Sequence, residues 1–214
     1  MSAVVIHPVY FGNIAHFTAI VQAESVTFEM FEHYQKQTFR NRCYIATANG
    51  SLLLNIPIKH SSSGKRGERD KKHQFYRDVK IENAFPWKNQ HWKSIQIAYR
   101  SSPFFEFYED DLAPLFEGKD DHLLAFNQKC FEVICDLLGL KISVYYTTSY
   151  QKSISEKRDL RSLVEAKNTH DNNFEPYTQV LEAQHGFLPN LSILDLLFNE
   201  GPNALAYLRR QTIA

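Results

Sequence analysis

The sequence predicts an α/β fold: a mainly parallel sheet that begins with a β-loop-α-β unit, an inserted hairpin, and a helical C-terminal half. Three observations predict it. Residues 3–28 alternate a short apolar run, a helical apolar pattern and a second short apolar run. Asn49-Gly50 separates two strand-like stretches. Beyond residue 84 the apolar residues recur at the 3.6-residue period of helices. A length of 214 residues suits one domain, 1–214, divided into an α/β half (1–83) and a mainly helical half (84–214).

The elements follow in order. "AVVIHP" (Ala3–Pro8) reads as a buried strand ended by His-Pro. "NIAHFTAIVQAE" (Asn13–Glu24) puts Ile14, Phe17, Ile20 and Val21 at helical spacing, and "SVTFEMF" follows as a strand parallel to the first. The loop "HPVYFGN" then lies where open α/β sheets bind ligands. "NRCYIATANGSLLLNIPIK" reads as a hairpin with a type I′ turn at Asn49-Gly50. "HSSSGKRGERDKKHQ" is a polar, basic loop, and "RDVKIE" a further short strand. "PWKNQHWKSIQIAYRSS" is a helix with Trp92, Ile95, Ala98 and Tyr99 on one face. Pro103 suits the first turn of the next helix, "PFFEFYEDDLAPLFEG". "DDHLLAFNQKCFEVICDLLG" is the clearest helix and stops at Gly139. "LKISVYYTT" is a strand, and "PNLSILDLLFNEGPNALAYLRR" gives two helices split by Gly201-Pro202.

Composition excludes several classes. The 24 Lys and Arg balance 24 Asp and Glu, so there is no basic excess for nucleic acid. A 43% hydrophobic content supports a packed core rather than a disordered chain. Cys43, Cys130 and Cys135 show no C-x-x-C spacing and read as buried thiols in a reducing compartment. Nine histidines are scattered without a metal-binding pattern, so no metal is expected. With no basic, apolar leader and no long apolar run, the expected location is the cytoplasm. No cofactor is indicated.

The segment "EHYQKQTFRNR" (Glu32–Arg42) crowds Tyr34, Lys36, Arg40, Asn41 and Arg42 into nine positions. Large polar groups are costly to bury unpaired, and two guanidiniums suit a phosphate or carboxylate. Strand alternation would put Arg40 and Arg42 on one face, at the edge of a cleft. The plainer alternative is a pair of arginines bridging surface acids. His16, in the first turn of its helix, would help to hold an anion there, or else merely follow a capped start at Asn13. Lys88 and His91 share a helical face and present the same choice. Ser192 and Asp195 have the spacing of a capping box.

At these residues the chain resembles the WbqC-like proteins. That family opens with a loop of the type Q-P-Y-F-F-P-x-I-x-Y-F, continues with a Tyr-containing segment ending in N-R-N, then an Asn-Gly turn and a strand ending in Pro. Here the corresponding stretches read "HPVYFGNIAHF", "HYQKQTFRNR" and "NGSLLLNIPIK". The likeness resumes in "HWKSIQIAYRSSPFFEFY" and "FLPNLSILDLLFNEGP". His7 stands where many members carry Gln, Gly12 replaces a Pro, and "SYQKSISEKRDL" replaces a Gly-rich stretch. A more distant likeness, at fold level, is to nucleotidylyltransferases with their H-x-G-H loop, whose second half is not at its proper spacing here.

The resemblance implies a role in bacterial surface-polysaccharide or O-antigen assembly. The expectation is a transferase acting on a phosphorylated or nucleotide-linked sugar. Tyr34, Lys36, Arg40, Asn41, Arg42 and Lys88 would bind the phosphates, and Tyr10, His16 and His91 would serve catalysis. The alternative is a non-catalytic scaffold of a glycan-assembly complex. The expected partner is a small molecule, with neither nucleic acid nor membrane span.

Overall fold

The computed structural model describes residues 2–59, 74–167 and 173–213. Strand β1 (Val4–Ile6), helix α1 (Ile14–Val21) and strand β2 (Ser25–Phe28) form the expected unit. The two strands pair in parallel, with Val4 opposite Val26 and Ile6 opposite Phe28. β-Branched residues favour these extended segments, and the bulk of Asn13–Val21 is helical because Asn13 caps it, its side chain accepting from the His16 N–H. Helices α2 (Trp87–Tyr99), α3 (Phe105–Leu112) and α4 (Leu123–Leu138) follow the hairpin β3 (Arg42–Thr47) and β4 (Gly50–Asn55). After α4 come β5 (Ser143–Tyr146), β6 (Arg158–Asp159), α5 (Glu182–His185), α6 (Ile193–Glu200) and α7 (Ala204–Arg210).

The main sheet has the order β5-β2-β1-β6, with every neighbour parallel. From β1 the chain steps to β2 and β5 on one side, then crosses to β6 on the other. The strand order therefore reverses between β1 and β6. Val4, Ile6, Val26 and Phe28 are buried on one face. There Phe28 meets Phe131 of α4 edge-on at 4.9 Å, and Phe131 stacks on Phe17 of α1. On the other face Lys157 donates to the Thr27 hydroxyl at 2.8 Å. Two of the four strands lie beyond residue 84, so both halves of the chain build one sheet. Among the described residues no helix is long and apolar enough to cross a membrane.

Several local expectations are corrected. "RDVKIE" forms a 3-10 turn at Tyr76–Asp78 and two isolated pairings, Ile58 with Ile81 and Lys80 with His122. Its backbone divides its hydrogen bonds between Pro57–Lys59 on one side and Asp121–Leu123 on the other, so no ladder grows. The hairpin turn is Ala48-Asn49, and the positive φ falls on Gly50 alone, at 93°. That is a type I turn followed by a left-handed residue rather than type I′. Helix α3 starts at Phe105, two residues after Pro103: Phe104 is its N-cap, with a non-helical backbone at φ −119° and ψ 7°, and donates its N–H to the Phe198 carbonyl. Ser192 does cap α6, accepting from Leu194 N–H at 3.3 Å. No capping box closes, however: the Ser192 N–H goes to Tyr44 O at 2.8 Å, and Asp195 turns to other partners. The basic loop expected at 60–74 lies outside the described residues except for Gln74.

Candidate active site at the carboxyl end of the parallel sheet

Each parallel strand delivers a polar residue just past, or at, its carboxyl end. His7 follows β1, Glu29 follows β2, Thr147 follows β5, and Asp159 ends β6 with Arg161 two residues on. The backbone ladder continues through them, Glu29 N–H to Ile6 O at 3.0 Å and Thr147 N–H to Phe28 O at 3.0 Å. Ligands of open α/β sheets bind outside the carboxyl ends, where the strand order reverses. The β1/β6 boundary meets that condition.

Two linked polar clusters stand there. In the first, Glu32 accepts from Arg40 Nη2 at 2.8 Å and from His7 Nε2 in a close contact. Arg40 Nη2 also lies 2.9 Å from His7 Nε2. Burial lowers the His7 pKa to about 4, with the Glu32 bond opposing, so the ring is neutral at pH 7. Burial works against the Glu32 carboxylate, but the His7 bond and the Arg40 charge outweigh it and hold its pKa below the ordinary value. In the second cluster Arg161 grips Asp159 with Nε at 2.9 Å and Nη2 at 2.6 Å. Its Nη1 binds Gln151 O at 2.9 Å and lies 3.5 Å from buried Glu29. The Arg161 hydrogen bond is the main cause of a lowered Asp159 pKa.

A hollow of about 300 Å³ opens over Glu32, Arg40, Tyr150, Asp159 and Arg161. A second, of about 450 Å³, lies on the open sheet face between Thr27, Glu29, Thr147, Ser155 and Lys157. The crevice holds three carboxylates, Glu29, Glu32 and Asp159, against two guanidiniums, Arg40 and Arg161. It suits hydroxyl or amino groups better than a bare phosphate. Among the described residues no cluster of side chains has metal-binding geometry.

The segment 32–42 reaches this crevice because it is strapped to both of its sides. Phe39 O accepts from Tyr10 N–H at 3.1 Å, and Phe39 N–H donates to Val164 O at 2.8 Å. The segment does not present one face. Arg40 lines the crevice hollow, whereas Tyr34, Lys36, Asn41 and Arg42 line a different hollow of about 560 Å³. Arg40 is also wholly buried rather than at a cleft edge. It precedes β3, so strand alternation does not govern it.

The remaining expected site residues lie inside the fold. The N-terminal N–H groups of α1 are occupied: Ile14 by Leu191 O, Ala15 by Asn190 Oδ1 and His16 by Asn13 Oδ1. No anion cradle is left there. Burial pushes the His16 pKa down to about 3. Tyr10 is fully buried and donates to His91 Nδ1 at 2.9 Å. Burial lowers the His91 pKa to about 4. Lys88 is buried and committed to Asp120 at 2.7 Å and Glu117 O at 2.9 Å.

Sequence reasoning missed Glu29, Glu32, Asp159 and Arg161, and gave His7 no role of its own. His7 and Glu29 had a usable signal, since each is the first residue past a parallel strand. Arg158–Asp159 had none: two charged residues carry no strand pattern.

The sequence model of the WbqC-like protein family matches residues 7–171 and 164–207. The uncharacterized protein Rv1507c of Mycobacterium tuberculosis is 25% identical over 202 residues, covering 82% of this chain and 84% of its own length. No solved structure matches. The matched span takes in His7, the 32–42 segment, both charged clusters, helix α6 and the first part of α7, and the chain belongs to the WbqC-like protein family.

Proposed function

We propose that the protein is a group-transfer enzyme of bacterial surface-glycan assembly, acting on a phosphorylated or nucleotide-linked sugar at the β1/β6 crevice. The observation that carries this reading is the reversal of strand order at β1/β6, with the His7–Glu32–Arg40 and Glu29–Arg161–Asp159 clusters at its mouth. Sugar hydroxyls donate well to carboxylates, and Glu32 and Asp159 both line the hollow. Glu32 keeps 19% of its side chain exposed while His7 and Arg40 stand behind it with none. Glu32 is thus the group that takes the proton of a reacting hydroxyl, and His7 and Arg40 are positioning residues that fix its carboxylate.

Nucleotide sugars, sugar phosphates and acyl or aminoacyl donors, screened by thermal shift, test this reading. A true ligand at 100 times its dissociation constant stabilises the fold by about 2.7 kcal/mol. Glu32→Gln should retain the stabilisation and lose turnover. If no sugar-linked compound shifts the melting temperature, the reading fails. The scaffold alternative is supported by Ile97 and Phe107, which stand 86% and 74% exposed on α2 and α3. It predicts no small-molecule ligand and loss of complex formation with Ile97→Asp.

A further inference from the structure

The hollow lined by Tyr34, Lys36, Asn41 and Arg42 is separate from the crevice and has its own chemistry. Its apolar floor is Ile56, Pro57 and Ile58, and its volume of about 560 Å³ falls in the range of small-ligand sites. Two cations face it, Lys36 and Arg42, against one carboxylate, Glu82. An Oε1 of Glu82 already accepts from Ala84 N–H at 2.9 Å. Arg42 has no ion-pair partner among the described residues, and its Nε is buried without a hydrogen bond.

A buried N–H without an acceptor is costly, and an oxyanion there would remove that cost. Asn41 supports the wall from beneath: its Nδ2 donates to Asn55 Oδ1 at 3.0 Å and Ile56 O at 2.9 Å. Burial raises the Tyr34 pKa to about 12, so its phenol stays a neutral hydrogen-bond donor. At the rim Phe85 is 64% exposed. An exposed aromatic ring beside paired cations can stack any nucleobase while the cations hold the phosphates.

We infer that this hollow is a nucleoside diphosphate site, with Arg42 and Lys36 on the diphosphate and Phe85 against the base. The inference rests on the crevice reading only for what the nucleotide carries; binding of the nucleotide itself is independent of it.

The test is equilibrium binding of ADP, UDP, GDP and inorganic diphosphate to the full chain. The variants are Arg42→Ala, Arg42→Lys, Phe85→Ala and the crevice variant Asp159→Asn, each with its melting temperature. At least one nucleotide should bind saturably. Arg42→Ala should weaken the nucleotide and diphosphate alike by about tenfold or more, and Arg42→Lys by less, because a point charge lacks the guanidinium fork. Phe85→Ala should weaken the nucleotide severalfold and leave diphosphate unchanged. Asp159→Asn should alter neither. Three results would overturn the inference: no binding by the wild-type chain, unchanged affinity in Arg42→Ala, or affinity lost only in Asp159→Asn. The last would move the nucleotide into the crevice and leave the transfer reading standing. Nucleotide binding with no turnover of any sugar-linked compound would sink the transfer reading alone. If Arg42→Ala fails to fold, Arg42→Lys, which keeps the charge and the stem, decides.

Discussion

Arg40 has no exposed surface and commits one of its three guanidinium nitrogens: Nη2 donates to Glu32 and lies beside His7 Nε2, while Nε and Nη1 are buried without partners. Removing it leaves Glu32 half-buried with only the neutral His7 ring and Gln35 as partners and no cation beside it, and opens a cavity beside Tyr76, whose ring lies 5.4 Å from the guanidinium. Arg40→Ala should therefore cost about 3 kcal/mol in urea unfolding, the lower end for breaking a buried pair because Glu32 keeps some exposure. A surface arginine would cost well under 1 kcal/mol, and that result would refute the buried role. Asp195 makes a parallel case without a cation. Its carboxylate accepts from Tyr99 at 2.8 Å, Tyr177 at 2.5 Å and Gln179 at 2.8 Å. Burial still holds its pKa above the ordinary value. Asp195→Ala orphans the buried Tyr99 and Tyr177 hydroxyls and takes one of its acceptors from Gln179, which keeps Leu188 O at 2.9 Å, so roughly 3 kcal/mol should be lost, more than a cap partner would cost. Denaturation of Asp195→Ala beside Ser192→Ala checks this, and equal losses would restore the capping reading.

At the scale of elements, helices α2, α4, α6 and α7 were legible because their apolar residues repeat locally, with Gly139 ending α4 and Gly201-Pro202 dividing α6 from α7. Strands β1, β2 and β5 were legible as apolar runs, and the hairpin from its turn. The false strand at Val79–Ile81 and the missed β6 have one cause. Whether a short extended segment joins a ladder depends on which distant backbone lies beside it, and this is not written in its own residues. The same holds for the site. Local spacing pointed to Tyr10, His16 and His91, but the packing of α1 and α2 sank them into the core, while the crossing from β5 to β6 carried Asp159 and Arg161 to the crevice. The α6–α7 junction gives the sharpest test of an element boundary. Gly201 has φ 52° and ψ −122°, a region closed to side-chain-bearing residues, and an added Cβ would lie 2.5 Å from the Phe104 ring. Gly201→Ala should cost about 2–3 kcal/mol through strain and overpacking together. A melting temperature unchanged by that substitution would show that the junction relaxes freely.

The whole molecule gathers three buried neutral histidines around one parallel sheet and the helices that cover it. His7, His16 and His91 are each under 8% exposed. Their folded pKa values are lowered, mainly by burial, to about 4, 3 and 4 from 6.5. Between about pH 6.5 and 4 the unfolded chain therefore binds more protons than the folded one, and stability must fall as pH falls through that window. With all three contributing, the slope approaches about 4 kcal/mol per pH unit. An ordinary domain has 5–15 kcal/mol to lose, so the fold should weaken sharply by about pH 5. Glu32, Asp120 and Asp159, whose pKa values are lowered, add their own loss at still lower pH, while Asp195, raised, opposes it. Urea midpoints at pH 7.5, 6.5 and 5.5 measure the slope. His91→Gln should flatten it by about a third whatever it does to stability at pH 7.5, because it deletes one of the three titrations. A midpoint that stays level down to pH 5.5 would mean that the three rings can take up protons in place, and that the sheet end is far wetter than its packing implies.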